Sequence, residues 1–166
     1  MAFTKKVVEV ARNFDVDVEG ELGQVVRVGD GGADFNDKST FTLPEEAAAF
    51  AKETGVTSLA VAFGSCHGVY KSTPNLDLER LQEIDRATDV PLVLHGGSGI
   101  PDDQLEKAFR MGINKFNVAT EFMILYDKLQ YEYYTELRGK ANKQKFVREK
   151  LIEYTSRKVQ LCTMEV

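Results

Sequence analysis

The stretch PLVLHGGSGIP, residues 91–101, constrains the fold of this chain strongly. Its apolar run 92–94 follows a proline and is typical of a short strand buried on both faces of a parallel sheet. His95 ends that strand, and the glycines after it can bring backbone N–H groups close to a ligand. Pro101 and the two aspartates after it predict the first turn of a helix. A strand, a glycine-rich turn and a helix N-terminus in this order suit a phosphate. The alternative is a turn that does no more than connect the two elements.

The same alternation of strand and helix patterns runs along the rest of the chain. Residues 4–14 predict a first helix with Thr4 as its N-cap, and residues 15–23 alternate strictly, as a strand does. Further strands are predicted at 58–63, 92–94 and 113–120, and helices at 43–54, 76–84, 101–111, 121–137 and 142–161, with Thr42 as the cap of the helix at 43–54. One helix followed by four strand–helix units predicts an α/β fold of the (β/α)8 TIM-barrel type.

The length of the chain sets the extent of that barrel. A full barrel needs eight strands and about 250 residues, whereas this chain has 166 residues and four predicted strands. The sequence therefore predicts a half barrel at residues 1–137, with the metal and phosphate residues, and a C-terminal helical extension at 138–166 packed on it. The polar, glycine-rich stretch 24–42 shows no periodicity and predicts a long functional or disordered loop.

Composition excludes several classes of function. A net charge of −5, with basic and acidic residues mixed, argues against general nucleic-acid binding. No run approaches the ~18 apolar residues of a membrane span, and the N-terminus has no signal-peptide core, so we expect a cytoplasmic protein that binds no membrane. Cys66 and Cys162 lie far apart, and reduced thiols are the expectation.

Two histidines are the strongest candidates for chemistry. His67 and His95 are the chain's only histidines, and each follows an apolar strand and precedes a glycine. Each could be a hydrogen-bonded structural residue. Their equivalent positions on successive strands instead favour a shared Zn²⁺ site, to which Glu21 could add an oxygen ligand. A nucleophilic pair of Cys66 and His67 is disfavoured because adjacent strand residues point to opposite faces.

Two further groups of polar residues lie in or near predicted strands, and each group has two possible roles. Asp15, Asp17, Glu19 and Glu21 share one strand face, which either meets water or ends at a charged site such as a metal. Asn117 and Thr120 could be capping residues of the next helix. Beside residues 96–98 they would instead form a two-sided phosphate cradle, as is common after the last strands of barrels.

Four motifs together resemble the class II, metal-dependent fructose-bisphosphate and tagatose-bisphosphate aldolases. They are VEGELG at 18–23, AFGSCHGVYK at 62–71, LVLHGGSGIP at 92–101 and KFNVAT at 115–120. The resemblance runs from about Thr4 to Cys162 and corresponds to the C-terminal half of that family's barrel, strands five to eight.

The resemblance implies a cofactor and a set of site residues. His67 and His95 match two of the three histidines that bind the catalytic Zn²⁺, and Glu21 matches a carboxylate at a second metal position; a monovalent cation is an additional candidate. The residues matched to binding of the sugar phosphate, dihydroxyacetone phosphate, are Gly68, Gly96, Gly97, Ser98, Asn117, Val118, Ala119 and Thr120.

The implied activity is reversible cleavage of fructose 1,6-bisphosphate or tagatose 1,6-bisphosphate into two triose phosphates. The family's third zinc histidine and its catalytic aspartate belong to the N-terminal half, and the usual acid after the VEGELG motif is replaced here, with Asp30 as a candidate substitute. We therefore expect a homodimer or association with a missing N-terminal half. The alternative function is a non-catalytic, phosphate-binding or oligomer-forming relative.

Overall fold

A computed structural model of the chain describes residues 1–27, 36–70 and 72–163. The helices are α1 Ala2–Arg12, α2 Pro44–Thr54, α3 Leu78–Ala87, α4 Asp102–Arg110, α5 Thr120–Glu132 and α6 Lys143–Cys162, with a 3-10 turn at Lys38–Thr40 and a π-helical turn at Tyr133–Leu137. The strands are β1 Glu19–Leu22, β2 Val26–Arg27, β3 Ser58–Val61, β4 Cys66–His67, β5 Leu92–Leu94 and β6 Ile113–Phe116.

Four of the strands form one parallel sheet in the order β1-β3-β5-β6, and β2 pairs with β4 in a separate parallel ribbon. Parallel neighbours must be joined by crossovers, which α2, α3 and α4 supply here. The parallel sheet with its helices confirms the predicted α/β fold of the barrel type, with four strand–helix units. In the described part of the chain, β1 and β6 are the outermost strands of the sheet.

The core lies between this sheet and the helices. Most of its large, fully buried side chains come from β3, β5, α3 and α4, namely Leu59, Val61, Leu81, Ile84, Leu92, Leu94 and Leu105. Each such side chain contributes about 1.5–3 kcal/mol by leaving water. Leu161 of α6 also belongs to this core, and α6 packs on α4 and α5. The division of the chain at residue 138 stays a prediction.

The first strand is shorter than its sequence pattern, and the first helix starts earlier. Residues 15–23 alternate throughout, but only Glu19–Leu22 pair with β3. Asp15 takes a left-handed φ of 54° in the turn that ends α1 and so cannot begin a strand. Within β1 the alternation holds: Gly20 is buried and Glu19 and Glu21 lie on the other face. The cap prediction at Thr4 is wrong, since α1 begins at Ala2 without a side-chain cap.

Thr42 is a buried connector and the prediction that it caps α2 is wrong. Leu43 occupies the N-cap position of α2. The Thr42 hydroxyl donates to the Leu22 carbonyl at 2.7 Å and accepts from the Ala62 N–H at 2.9 Å. It thereby fixes the ends of β1 and β3 to each other, a role that depends on contacts distant in sequence.

None of the helices in the described ranges is long and apolar enough to cross a membrane.

Candidate functional site

The two histidines meet at the carboxyl ends of β4 and β5, which belong to different sheets. His67 ends β4, a two-residue strand that follows β3 after a turn, and His95 comes directly after β5. Their ring centroids are 6.0 Å apart, with the ring planes tilted by 42°. The sequence pattern placed His67 after the strand at 58–63, and the separate strand β4 was not predicted. The structure nevertheless brings the two imidazoles together.

A tyrosine side chain ties the two histidine segments to each other. The Tyr70 hydroxyl accepts a hydrogen bond from the Cys66 N–H at 2.9 Å and donates one to the Gly96 carbonyl at 3.0 Å. Cys66 precedes His67 and Gly96 follows His95, so one hydroxyl sets the spacing of both backbones. Burial raises the pKa of the Tyr70 phenol well above its ordinary value, so this group remains a donor. Sequence analysis missed this role; its signal was a tyrosine three residues after His67.

Replacing Tyr70 with phenylalanine is therefore expected to lower the free energy of unfolding by about 1–3 kcal/mol, because two partly buried backbone groups lose their partner. Urea denaturation followed by circular dichroism measures this. The matched control is Tyr131→Phe, which removes a hydroxyl from a side chain that is 72% exposed and should change little. Equal losses in the two variants would contradict the bridging role.

Carboxylates approach both ring nitrogens of His95. Glu21 Oε2 lies 2.7 Å from Nδ1, and Glu19 Oε1 lies 3.0 Å from Nε2. The second oxygen of Glu19 accepts from Lys115 Nζ at 2.7 Å. Burial of Glu19 raises the pKa of its carboxyl, but the hydrogen bonds from Lys115 and His95 lower it by more, so its pKa lies below the ordinary value. Glu19 and Glu21, on the acidic face of β1, therefore lie at His95.

The two predicted phosphate segments lie against each other. The Gly97 N–H donates to the Asn117 carbonyl at 3.0 Å. Ser98 Oγ accepts from the N–H groups of Ala119 and Glu121, both at 3.2 Å, so the Ser98 side chain holds the first turn of α5. Because the N–H groups of Gly97 and Ala119 already have partners within the chain, these two residues shape the cradle rather than offer open donors.

An acidic side chain lies at the same loop. The Gly99 N–H donates to Glu121 Oε2 at 3.3 Å, and Lys158 Nζ lies 3.4 Å from that oxygen. A carboxylate on a backbone N–H near the start of α5 shows that this position favours an anion.

The remaining predicted site residues are placed as follows. Gly68 follows His67 with a φ of 104°, a conformation suited to glycine. Val118 lies between β6 and α5, and Thr120 is the first residue of α5, since β6 stops at Phe116 rather than continuing to 120. Asp30 lies outside the described residues.

The donor set fits a metal ion in part. Two imidazoles whose centroids are 6.0 Å apart can share one Zn²⁺, for which Zn–N bonds are ~2.0–2.1 Å. In the described ranges, however, no group of three or more histidine, cysteine, aspartate and glutamate side chains could hold a metal ion. His67 and His95 therefore supply two neighbouring imidazoles, and their metal role, like that of Glu21, stays a prediction.

Parallel strands whose polar residues meet at their carboxyl ends are typical of α/β barrel proteins, which place their sites at that end. Comparison with known families gives the same class in finer detail. Residues 1–165 match the family model of class-II fructose-bisphosphate aldolase, and the chain belongs to that family.

Solved structures agree with this assignment. The chain is 34% identical to the YdjI aldolase from Escherichia coli K12, with a TM-score of 0.80, over 96% of this chain and 54% of that one. It shares the fold of the fructose-bisphosphate aldolase Fba from Campylobacter jejuni, at 21% identity and a TM-score of 0.67, over 97% of this chain and 55% of that one. The chain thus spans about half the length of these structures.

Proposed function

We propose that this chain supplies the C-terminal half of the site of a zinc-dependent class II ketose-bisphosphate aldolase. Its reaction would be the reversible cleavage of fructose 1,6-bisphosphate or tagatose 1,6-bisphosphate to dihydroxyacetone phosphate and glyceraldehyde 3-phosphate. The observation that carries the proposal is the convergence of His67 and His95, 6.0 Å apart, in a member of this family. The phosphate cradle around Ser98 adjoins His95 in the chain.

The residues of this chain would act by holding groups in place. His67 and His95 would bind the ion, with Glu21 beside His95; when bound, Zn²⁺ supplies Lewis-acid polarisation of the substrate ketone. Ser98 and the first turn of α5 would hold the phosphate of the substrate. A phosphate at the Gly99 N–H would replace the Glu121 carboxylate, which Lys158 is close enough to hold in its new position.

Aldol cleavage also requires a group that moves a proton at the substrate hydroxyl. Such general acid–base assistance is worth about 10²–10⁴ in rate. Asp30 is our candidate within this chain for a second acid, the one that the family carries after the VEGELG motif. The family's aspartate and third histidine belong to the N-terminal half of the barrel.

The partner of this chain would cover its outer strands and an exposed apolar stripe. Phe3, Val7 and Val10 of α1, and Phe14 just after it, are exposed and follow the spacing of one helix face. Unpaired outer strands readily add further strands. We propose that the N-terminal half of such a barrel, or a second copy of the chain, docks at β1, β6 and this stripe.

A second candidate function is a non-catalytic protein that binds a sugar phosphate or forms oligomers. It is favoured by the finding that the described residues bring together no set of three metal donors.

Zinc titration tests the ligand assignment on which the first candidate depends. We expect the wild-type chain to bind one Zn²⁺ weakly by calorimetry, and His67→Gln to lose that binding because a single imidazole remains. Cys162→Ser is the control: Cys162 is the exposed thiol and is not in the proposed ligand set, so its loss should leave binding unchanged. Zinc binding that survives in His67→Gln would refute the assignment of the ligands.

A further inference from the structure

A network of three side chains spans the whole parallel sheet on one face. Lys115 on β6 reaches Glu19 on β1 at 2.7 Å, and Glu19 reaches His95 Nε2 at 3.0 Å. β1 and β6 are the two outermost strands, separated by three strand spacings, or about 14 Å in a flat sheet. Side chains can close that span only on the concave face of a curved sheet, so the network faces the interior that a barrel would enclose.

The two carboxylates at His95 are held differently. Glu19 is 27% exposed and is anchored by the Lys115 ammonium, whereas the Glu21 side chain is 46% exposed. A metal ion on His95 needs one ring nitrogen, so one of the two carboxylate contacts must open. The contact at Nδ1 is the easier one to give up, because Glu21 is the more exposed carboxylate and Glu19 is fixed from its other side.

We propose that Glu19, anchored by Lys115, is a positioning residue that accepts the Nε2–H of His95 and leaves Nδ1 to face a divalent cation. The cation in this inference rests on the proposed function. The hydrogen bond between Glu19 and His95 is independent of that function. Metal-binding histidines generally donate their other N–H to a carboxylate, which fixes the tautomer and the ring orientation, and loss of such a partner costs about 10–100-fold in metal affinity. In this chain the carboxylate of Glu19 is in turn fixed by Lys115, which lies on β6, the outer strand opposite β1.

The chain allows a direct test because it has two histidines. In a His67→Gln background His95 is the single histidine, and long-range ¹H–¹⁵N NMR then reports which of its nitrogens holds the proton without any metal. We expect the Nε2–H form to dominate at a pH where the ring is neutral, and to decline in Glu19→Gln and Lys115→Met. Lys115→Arg should restore it, since arginine keeps the charge and donor.

Zinc affinity of the full chain with both histidines provides the second measurement. Glu19→Gln and Lys115→Met should weaken Zn²⁺ binding about tenfold or more, while Lys115→Arg stays near wild type. The matched control is Lys107→Met, which breaks an exposed lysine–aspartate pair on α4 and should change neither measurement.

The outcomes separate this inference from the proposed function. A His95 tautomer that is the same in Glu19→Gln, Lys115→Met and the control overturns the positioning role, whatever zinc does. A tautomer that shifts as expected in a chain whose wild type binds no Zn²⁺ supports the positioning role and refutes the proposed metal site. A tautomer shift together with weakened Zn²⁺ binding in the same variants supports both the positioning role and the proposed metal site.

Discussion

Replacing Gly96 with alanine is expected to destabilise this protein by roughly 2–5 kcal/mol, a large share of the stability of a small domain. Gly96 has a φ of 70°, which L side chains rarely adopt, and a Cβ built there would collide with the backbone carbonyl of Cys66. The colliding group is backbone and is held by the Tyr70 hydrogen bonds, so it cannot move aside cheaply. The variant should therefore push the His67 and His95 segments apart as well.

Gly139→Ala is the matched control for this variant. Gly139 has a φ of 78°, close to that of Gly96, but a Cβ there would meet nothing within 4 Å. The free energy of unfolding of Gly139→Ala should fall only by the cost of a left-handed backbone at a non-glycine residue, about 1–2 kcal/mol. Urea denaturation followed by circular dichroism gives both values. Equal losses at the two glycines would contradict the close approach of the β4 and β5 ends on which the site depends.

Much of the sheet could be predicted from local sequence pattern. The apolar runs at Leu59–Val61 and Leu92–Leu94 are strands because they are buried on both faces, as parallel strands between helices are. The predicted alternation of exposed Glu19 and Glu21 with buried Gly20 is also present in β1. The ends of β1 and β6 could not be predicted, because a strand stops where its neighbour stops. The pairing of β5 with β6 shifts register between Leu92 and Val93, and the Asn114 side chain accepts the Leu92 N–H at 3.0 Å.

The parts of the site that escaped prediction depend on contacts between segments distant in sequence. β4 is two residues long and exists because β2, about forty residues earlier, pairs with it. Ser98 stands in a glycine-rich turn, and no local signal shows that its hydroxyl holds the first turn of α5. Its role in binding a phosphate stays a prediction. Tyr70 gives no local signal that its hydroxyl joins two loops. The family resemblance identified the histidine positions, whereas these connecting residues became visible only in the fold.

The second large effect concerns catalysis. We expect the 166-residue chain with Zn²⁺ to release triose phosphate from fructose 1,6-bisphosphate or tagatose 1,6-bisphosphate no faster than about 10⁻²–10⁻⁴ of the rate of a complemented barrel, because the acid–base group of the N-terminal half is lacking. A missing third zinc ligand would lower the rate further. The chain spans about half the length of the related aldolase structures, which is the basis for expecting complementation.

The most direct measurement is a coupled assay of triose phosphate release, made with the purified chain alone and after adding the N-terminal half of the YdjI aldolase. The chain alone should give background rates, and the mixture should gain activity that a chelator removes. The same mixture made with His67→Gln should stay inactive, which assigns the gain to this chain's histidine. Full turnover by the chain alone, abolished by a chelator, would contradict the account, because it would mean that this chain holds the third ligand and the acid–base group itself.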